Sequence, residues 1–492
     1  MVPGLHMDPT SASPLYRQLS DQIRALIQSG RIGRGERLPP TRELAGTLGL
    51  NRATISAAYA LLESEGLLRG HVGRGSFVDA PAPPARPLEW EQLLAPAAAY
   101  PPSLAPPEGE EIISFATSRP AERLFPVEEF RACCQEVASS RHARAILQLG
   151  SPHGYPPLRA YLLEEARRTG LARPGDDIVI TNGCQQALDL IQRILIRPGD
   201  AVALEDPVYH GLRQVLSAAG ARLVGVPVES DGISPEHFRI LLEKDRPKLL
   251  VVTPNFQNPT GTTLPPAARA EILRAATRAG VVVVESDVYG DLRYEGTAAP
   301  SLKQMEGGRD VIHLRSYSKI AFPGLRVGWV IAPRAVTARL AEAKQWSDLH
   351  SDHLSQAVLL RFAESGRLEA HRRKVLAAGA ARLAATLEAC ARELPAGSRW
   401  TRPQGGMNIW VRLPEPLDAA ELLTRAHREK VTYLPGSWFA VSRPEPGALR
   451  LSFAGLSPER IRAGMAILGR LFSNERERLA SARRLEPAPA MV

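Results

Sequence analysis

The segment Arg315-Ser-Tyr-Ser-Lys-Ile-Ala-Phe-Pro-Gly-Leu-Arg326 directly follows an apolar run, Val311–Leu314, that is typical of a buried strand. Its central residue, Lys319, is one of only seven lysines in a chain with 61 lysines and arginines. Arginine cannot replace lysine in a covalent bond to an aldehyde, because the stable Schiff base needs an amine. A lysine retained here, in an arginine-rich chain, predicts Schiff-base chemistry at the end of a strand.

Two earlier apolar runs also end in polar side chains. Asp287 follows the run Val281–Val284, and Tyr289 lies two residues further on, while Asn258 follows the run Leu249–Thr253. Ligands of open α/β sheets bind at the carboxyl ends of the strands, so we expect these side chains to meet Lys319. A carboxylate can hold a pyridine nitrogen protonated, and a tyrosine and an amide can donate to a phenolate oxygen.

Further residues supply donors for a phosphate: two hydroxyls, a guanidinium and the backbone N–H groups of a predicted helix start. They are Ser316, Ser318 and Arg326, with Gly183, Cys184 and Gln185 after the run Ile178–Thr181. Together these parts are what pyridoxal 5′-phosphate requires, so we expect that cofactor. Each part alone also has an ordinary explanation, since Asn-Pro-Thr-Gly is a good turn and an acid at a strand end often caps a helix.

Outward from this region, apolar runs alternate with amphipathic helices. The runs are Ile178–Thr181, Ala201–Leu204, Leu249–Thr253, Val281–Glu285 and Val311–Leu314. This alternation predicts a parallel sheet covered by helices on both faces, in an α/β domain at residues 111–350. A long helix from about Leu354 and the runs Met407–Leu413 and Leu449–Phe453 predict a smaller C-terminal α+β subdomain at 351–475, followed by a tail at 476–492.

The first 79 residues have a different pattern, three helices and a hairpin, which predicts a winged helix-turn-helix domain. The elements are a helix after Ser13-Pro14, a helix Arg42–Leu48 capped by Thr41 and ended by Gly49, a helix Arg52–Glu65, and strands Leu67–Arg69 and Ser76–Val78. The proline-rich stretch Pro81–Pro107 predicts a linker at 80–110, with one helical turn at Glu89–Leu94.

In a helix-turn-helix the second helix of the pair enters the major groove of double-stranded DNA, N-terminal end first. The candidate contacts are Asn51, Arg52, Thr54 and Ser56 for base edges, Arg42 for a phosphate, and Gly73 and Arg74 of the wing for the minor groove. A three-helix protein-interaction module with ordinary surface arginines is the alternative interpretation.

Composition sets wider limits. The net charge of +9 permits a nucleic-acid partner without requiring one. The four cysteines have no paired metal-binding spacing, so we expect no metal site and a reducing cytoplasmic location. The sequence has neither an apolar run of about 18 residues nor a leader pattern, so we expect no membrane span.

Two sets of motifs resemble known families. The segment Leu38–Val78 resembles the DNA-binding domain of the GntR family in its Pro-x-x-Arg-Glu-Leu-Ala, Arg-x-Thr-x-x-x-Ala-Tyr and Glu-Gly-Leu elements. Residues 112–472 resemble fold-type-I aminotransferases through TNGCQQALDL, EDPVYHG, NFQNPTG, ESDVYGDL and SYSKIAFPGLRVGW. The two in this order resemble the MocR subfamily of bacterial regulators.

The resemblance implies a role for each site residue and a homodimer. Lys319 would bind the cofactor aldehyde, Asp287 its pyridine nitrogen, and Asn258 and Tyr289 its phenolate oxygen. Tyr209 would stack on the ring, and Arg450 would bind a carboxylate of an amino compound. The sequence departs from the family at two positions that weaken phosphate binding: Leu149 replaces a tyrosine donated across the subunit interface, and Cys184 replaces a common serine.

The expected function is a DNA-binding regulator that senses pyridoxal 5′-phosphate, alone or joined to an amino compound. The alternative is an active aminotransferase with an accessory N-terminal domain, because the parts needed for transamination are all present.

Overall fold

The computed structural model describes residues 4–71, 74–79, 89–94 and 112–485, and it describes side chains only to residue 481 at the C-terminal end. The chain divides into two compact units, Met1–Ala98 and Ala99–Val492. Most of the expected linker at 80–110, and residues 486–492 of the expected tail, lie outside the described residues. Within the described ranges, no helix is both long and apolar enough to cross a membrane.

The N-terminal unit is a winged helix-turn-helix domain. Its elements are α1 (Leu15–Gln28), α2 (Thr41–Leu48), α3 (Arg52–Ser64), β1 (Leu68–His71), β2 (Gly75–Val78) and α4 (Trp90–Leu93). Strands β1 and β2 are antiparallel, with Leu68 opposite Val78. The apolar stripes of α1 and α3 meet in a core where Leu19, Ile23 and Ile55 are fully buried.

The ends of α2 follow from two residues. Gly49 ends the helix in the left-handed conformation, at φ +65°, which costs glycine little. Thr41 was expected to cap the start, and this prediction is wrong. Pro40 holds the capping position and Thr41 is the first helical residue, without a side-chain capping bond. Pro40 has an extended ψ of 143°, and the N–H that proline lacks is not needed by the hydrogen-bond ladder at this position outside the helix.

The larger unit alternates helices and strands. Its helices are α5 (Val127–Ala138), α6 (Ala143–Ile146), α7 (Pro156–Arg168), α8 (Gly183–Leu195), α9 (His210–Ala218), α10 (Pro235–Asp245), α11 (Pro266–Ala279), α12 (Arg334–Asp348), α13 (His353–Glu364), α14 (Arg367–Glu393), α15 (Ala419–Arg428) and α16 (Pro458–Leu485). Its strands are β3 (Ile113–Ser114), β4 (Asp176–Asn182), β5 (Ala201–Asp206), β6 (Arg222–Glu229), β7 (Gly232–Ile233), β8 (Leu249–Val252), β9 (Val282–Ser286), β10 (Ile312–Ser316), β11 (Val327–Pro333), β12 (Arg399–Trp400), β13 (Asn408–Arg412), β14 (Val431–Thr432), β15 (Leu434–Pro435) and β16 (Ala448–Ser452).

The main sheet has the strand order β4-β11-β10-β9-β8-β5-β6-β7. The central strands β10, β9, β8, β5 and β6 are parallel, as the apolar runs predicted. The expectation of a wholly parallel sheet is wrong, because β11 lies antiparallel between β10 and β4. The chain leaves β10, forms the loop that contains Lys319, and returns directly as β11, and a direct return can only be antiparallel.

The C-terminal part forms a second layer with the strand order β12-β13-β16-β15. Two helices, α13 and α14, replace the single long helix expected from Leu354, and Gly366 separates them at φ +76°. Residues of α13, such as Phe362, pack into the core beneath the main sheet. The last helix continues to Leu485, ten residues past the expected boundary at 475, and its Leu479 packs against the core of this second layer.

Candidate functional site

The N-terminal unit exposes the start of its third helix. Arg42, Asn51, Arg52 and Ser56 are exposed, while Thr54 is half-buried. Oδ1 of Asn51 accepts a hydrogen bond of 2.9 Å from the backbone N–H of Ala53, so this side chain caps α3. The oxygen of the Asn51 amide is therefore engaged within the helix, and its nitrogen is left to donate outward.

The wing adds further arginines. Arg74 is exposed, whereas Gly73 lies outside the described residues. Arg42, Arg52 and Arg74 make no ion pair with any residue in the described part of the chain, so their charge is available to a phosphate backbone. Sequence reasoning missed Arg37, whose exposed guanidinium lies against Gly75 of the wing. The approach is so close that a Cβ added to Gly75 would lie 2.9 Å from Nε of Arg37.

The larger unit contains a cavity of about 570 Å³. Ten of the predicted site residues line it: Gly183, Cys184, Gln185, Tyr209, Asn258, Tyr289, Ser318, Lys319, Arg326 and Arg450. Asp287 and Ser316 do not line it. Its volume falls within the range of about 300–1,000 Å³ that is usual for small-molecule sites.

Lys319 is held at the wall of this cavity. Its Nζ donates a hydrogen bond of 3.1 Å to the backbone oxygen of Ser118 and lies 5.5 Å from the centre of the Tyr289 ring. The loop after β10 therefore presents an amine to the cavity, beside a tyrosine from the loop after β9.

Asn258, Tyr289 and Arg450 form a buried chain of polar groups. Nδ2 of Asn258 donates to the Tyr289 hydroxyl at 3.3 Å, and Oδ1 accepts from Arg450 at 3.0 Å. Arg450 also donates to the backbone oxygen of Ala116, and its Nε has no hydrogen-bond partner among the described residues. Burial lowers the pKa of Arg450 to about 10, so at pH 7 it remains a cation with an unused donor.

Asp287 lies at the end of β9, as predicted, and belongs to a separate polar cluster. Its carboxylate accepts a hydrogen bond of 2.8 Å from Asn255 and lies 3.8 Å from Nε of Arg315, which itself pairs with Asp291 at 2.7 Å. Burial opposes the charged form of Arg315, but the two carboxylates outweigh it and raise its pKa. These contacts fix the position of the Asp287 carboxylate at the end of β9.

The start of α8 forms a cradle for an anion. Gly183 has φ +76°, and a Cβ built on it would lie 2.6 Å from Nη2 of Arg326. Arg326 donates to the backbone oxygen of Asn182 at 3.3 Å, so its guanidinium lies over the helix N-terminus. A cation beside free backbone N–H groups is an arrangement that binds phosphate.

The other predicted phosphate donors differ in what they offer. The Ser316 hydroxyl donates to the backbone oxygen of Val327 at 2.8 Å and accepts from the backbone N–H of Ser318 at 3.0 Å, so it shapes the loop instead of facing the cavity. The Cys184 thiol donates to the backbone oxygen of Arg315 at 3.4 Å, and burial raises its pKa to about 12. Gln185 donates its side-chain amide to the backbone oxygen of Gly211, which leaves its backbone N–H for the cradle.

Tyr209 lines the same cavity at the start of α9 and is 44% exposed. Sequence reasoning missed the segment Ala116–Arg119 and the residues His210, Trp438 and Phe439, which also line it. No local signal marks the segment, because its backbone carbonyls and not its side chains bind Arg450 and Lys319. Asn255 stood within a recognised motif and could have been found as the amide that precedes Asn258 by three residues.

The residues of this cavity fit pyridoxal 5′-phosphate. The donor set contains an amine for the aldehyde, an amide and a phenol for a phenolate oxygen, and a cationic cradle for the phosphate. The glycine at 183 leaves room for Arg326 that a Cβ would fill. Among the described residues, no group of acidic, histidine or cysteine side chains is arranged to hold a metal ion.

Two family models match the chain. "Aminotransferase class I and II" matches residues 114–468, and "Bacterial regulatory proteins, gntR family" matches residues 15–78. The chain is 30% identical to the probable rhizopine catabolism regulatory protein MocR of Rhizobium meliloti over 484 residues, which cover 95% of this chain and 96% of that protein. It is 35% identical to the aromatic-amino-acid aminotransferase 1 of Thermococcus litoralis, over 75% of this chain and 89% of that protein.

Solved structures agree with the fold of the larger unit. The kynurenine aminotransferase of Pyrococcus horikoshii, crystallised with PMP, is 34% identical and superposes with a TM-score of 0.72. The match covers 75% of this chain and 92% of that one. The aminotransferase-like relatives therefore match the larger unit, and the regulator-type relative matches nearly the whole chain.

Proposed function

The chain belongs to the class I and II aminotransferase family and to the MocR-type regulators of the GntR family, and on this premise we propose that it senses pyridoxal 5′-phosphate. It is a DNA-binding regulator, and pyridoxal 5′-phosphate is the cofactor of its larger unit. In our proposal, occupancy of the cavity, by the cofactor alone or with an amino compound, changes how the N-terminal domain binds DNA. Because the proposed target of the N-terminal domain is chromosomal DNA, we place the action of the protein in the cytoplasm.

The observation that carries the sensing proposal is the convergence of Lys319, Tyr289 and Asn258 in one cavity. Bound there, the cofactor supplies an aldehyde that reacts reversibly with amines and a ring that withdraws electrons. In our assignment, Lys319 binds the aldehyde, and Asn258 and Tyr289 donate to the phenolate oxygen. Tyr209, which lines the cavity, would stack on the ring.

We assign the remaining cofactor contacts as follows. Asp287, held by Asn255 and Arg315, keeps the ring nitrogen protonated. Arg326 and the backbone N–H groups of residues 183–185 hold the phosphate, with Ser318 beside them, while Ser316 supports the loop through Val327. Arg450 has an unused donor beside Asn258 and binds the carboxylate of an amino compound.

In the N-terminal domain we assign base contacts to Asn51, Arg52, Thr54 and Ser56, and a phosphate contact to Arg42. Arg74, with Gly73, would enter the minor groove. Arg42, Arg52 and Arg74 are exposed and make no ion pair with a described residue, which supports this assignment.

We also propose a homodimer. Several large apolar side chains of the larger unit are strongly exposed, among them Leu147 at 74%, Leu149 at 73% and Trp346 at 85%. The segment with Leu149 packs against the start of α13, since a Cβ on Gly150 would lie 1.9 Å from the His353 ring. A contiguous exposed apolar patch often marks an interface, and these side chains are candidates for one. Leu149 would then lie at the subunit boundary without supplying the phosphate donor that a tyrosine supplies.

Coupling between cavity and DNA requires a difference in affinity. A ligand shifts a conformational equilibrium only if it binds the two arrangements with different strength. The test is therefore a titration of the full-length protein on the DNA upstream of its own gene, with and without pyridoxal 5′-phosphate, while amine-to-keto-acid transfer is assayed in parallel. We expect a specific DNA complex whose affinity changes with the cofactor. Rapid multiple turnover without a specific DNA complex would refute the proposal.

A further inference from the structure

One arginine of α11, Arg269, is completely buried without an ion pair. Its exposed fraction is 0%, and it lies within ion-pair distance of no carboxylate that the structure describes. Burial lowers its pKa, and the carboxylates of Glu285 and Asp287 act in the opposite direction from further away. Arginine is almost never fully buried unless it is paired, because a cation loses its hydration there. Arg269 therefore calls for a specific role.

The guanidinium of Arg269 donates hydrogen bonds to two loops. Nε donates to the backbone oxygen of Leu264 and Nη1 to that of Pro300, each at 2.8 Å. Nη2 donates to the backbone oxygen of Pro254 at 3.0 Å and to Oδ1 of Asn255 at 2.6 Å. Three acceptors are thus loop carbonyls, whereas the fourth belongs to a side chain that continues toward the proposed cofactor site.

The bond from Arg269 decides which way the amide of Asn255 faces. A guanidinium has only donors, so it can bond the oxygen of the amide and not its nitrogen. With its oxygen held in this way, Asn255 donates through Nδ2 to Oδ1 of Asp287 at 2.8 Å. The reversed amide would place its oxygen against the carboxylate and its N–H groups against the guanidinium. Arg269 therefore keeps Asn255 in the one orientation that binds Asp287.

The carboxylate of Asp287 depends on this support because it is set back from the cavity. Ser286 and Val288 line the cavity, but Asp287 between them does not. Asn255 binds one carboxylate oxygen, and Arg315 lies 3.8 Å from the other. A contact between a recessed carboxylate and a ring nitrogen is sensitive to displacements of about 0.5 Å.

We propose that Arg269 is a positioning residue for the cofactor, because it orients Asn255, and Asn255 in turn holds Asp287 where the ring nitrogen would meet it. This inference rests on the proposed function and adds to it a residue that does not line the cavity. A purely structural Arg269, which only ties two loops together, would affect all cofactor contacts alike. A positioning residue affects the contact with the ring nitrogen selectively.

The experiment uses a cofactor analogue that lacks the ring nitrogen. Calorimetric titration of the full-length protein, freed of cofactor, gives the Kd of pyridoxal 5′-phosphate and that of 1-deazapyridoxal 5′-phosphate, in which a carbon replaces the nitrogen. A hydrogen bond to a charged group changes Kd roughly tenfold or more. We expect the wild type to bind the natural cofactor at least about tenfold more tightly than the analogue. Arg269→Met should bring this ratio close to one, with little change in the Kd of the analogue.

Further variants test whether the effect passes through Asn255. Arg274→Met is the matched control, since this exposed arginine lies on the same helix and should keep the wild-type ratio. Asn255→Ala should lower the ratio as Arg269→Met does, and the double variant should lower it no further, because both changes break the same chain of contacts. If Arg269→Met does not fold, Arg269→Gln replaces it, since a neutral amide both donates and accepts and so does not fix the orientation of Asn255.

The results that would overturn the inference differ from those that would overturn the proposed function. If the Arg269 variants keep the wild-type ratio, or weaken both compounds equally, Arg269 has only a structural role. A further loss in the double variant would show that Arg269 acts by a route other than Asn255. If the wild type binds both compounds equally, the contact of Asp287 with the ring nitrogen fails together with this inference. If it binds neither compound, the proposed function itself fails.

Discussion

Replacing Gly183 by alanine tests the phosphate cradle. Gly183 has φ +76°, in the left-handed region, where a residue with a Cβ costs roughly 1–2 kcal/mol. The added methyl would also lie 2.6 Å from Nη2 of Arg326, closer than any contact allows. The guanidinium is the end of a flexible side chain and can move away, so the larger consequence is that Arg326 leaves the helix N-terminus.

The expected loss of cofactor affinity follows from that displacement. A hydrogen bond to a charged group contributes about 1.5–3 kcal/mol, which corresponds to roughly a 10- to 160-fold change in Kd. Gly183→Ala should therefore bind pyridoxal 5′-phosphate at least about tenfold more weakly than the wild type. The assay is an absorbance titration of the purified full-length protein, combined with denaturant unfolding of the same variant.

Gly280→Ala separates backbone strain from displacement of the arginine. Gly280 ends α11 at φ +68°, and a Cβ built there meets nothing within 4 Å. Both variants should lose a similar free energy of unfolding, but only Gly183→Ala should lose cofactor affinity. If the two variants bind the cofactor equally well, Arg326 and the start of α8 do not hold its phosphate.

Three other predictions concern the lysine, the DNA contact and a buried acid. Lys319→Ala should abolish the visible absorption band of the protein incubated with pyridoxal 5′-phosphate, while Lys374→Ala should retain it; an unchanged spectrum rejects Lys319. Arg52→Ala should weaken binding to the specific DNA site by about 1–3 kcal/mol, whereas an equal loss on random DNA would make Arg52 a phosphate contact. Burial raises the pKa of the Glu205 carboxyl from 4.5 to about 8 in the folded protein. Between these pH values the folded chain keeps a proton that the unfolded chain has already lost, so the free energy of unfolding should fall as pH rises from about 4.5 to 8. Glu205→Gln should flatten that decline in denaturant unfolding curves, and an unchanged pH dependence would contradict the assignment.

The sequence predicted the parts of the fold that local patterns determine. The apolar runs located β4, β5, β8, β9 and β10, because strands buried on both faces are almost continuously apolar. The same reasoning missed the direction of β11, since a run such as Val327–Pro333 has the same composition whichever way it pairs. The sequence also predicted one long helix where the structure has α13 and α14, because a single glycine such as Gly366 does not by itself indicate a break. Only its φ of +76° in the structure shows that the helix ends there.

The site was predictable where a strand end carries the side chain. Lys319 and Asn258 each follow an apolar run and line the cavity, because strand ends at one edge of a sheet converge, whereas Asp287 follows such a run without lining it. Ser316 had the same position but uses its hydroxyl on Val327, a contact that depends on the pairing of β10 with β11. Arg119 was missed because nothing in an arginine-rich sequence distinguishes an arginine at a cavity from one on the surface.

The central claim is that Lys319 binds the aldehyde of the cofactor. The most direct measurement is to incubate the purified protein with pyridoxal 5′-phosphate, fix the lysine–aldehyde bond with borohydride, and map the modified peptide by mass spectrometry. We predict a single stoichiometric modification on the peptide that contains Lys319. Modification of other lysines with Lys319 unmodified, or no stable modification at all, would contradict the account.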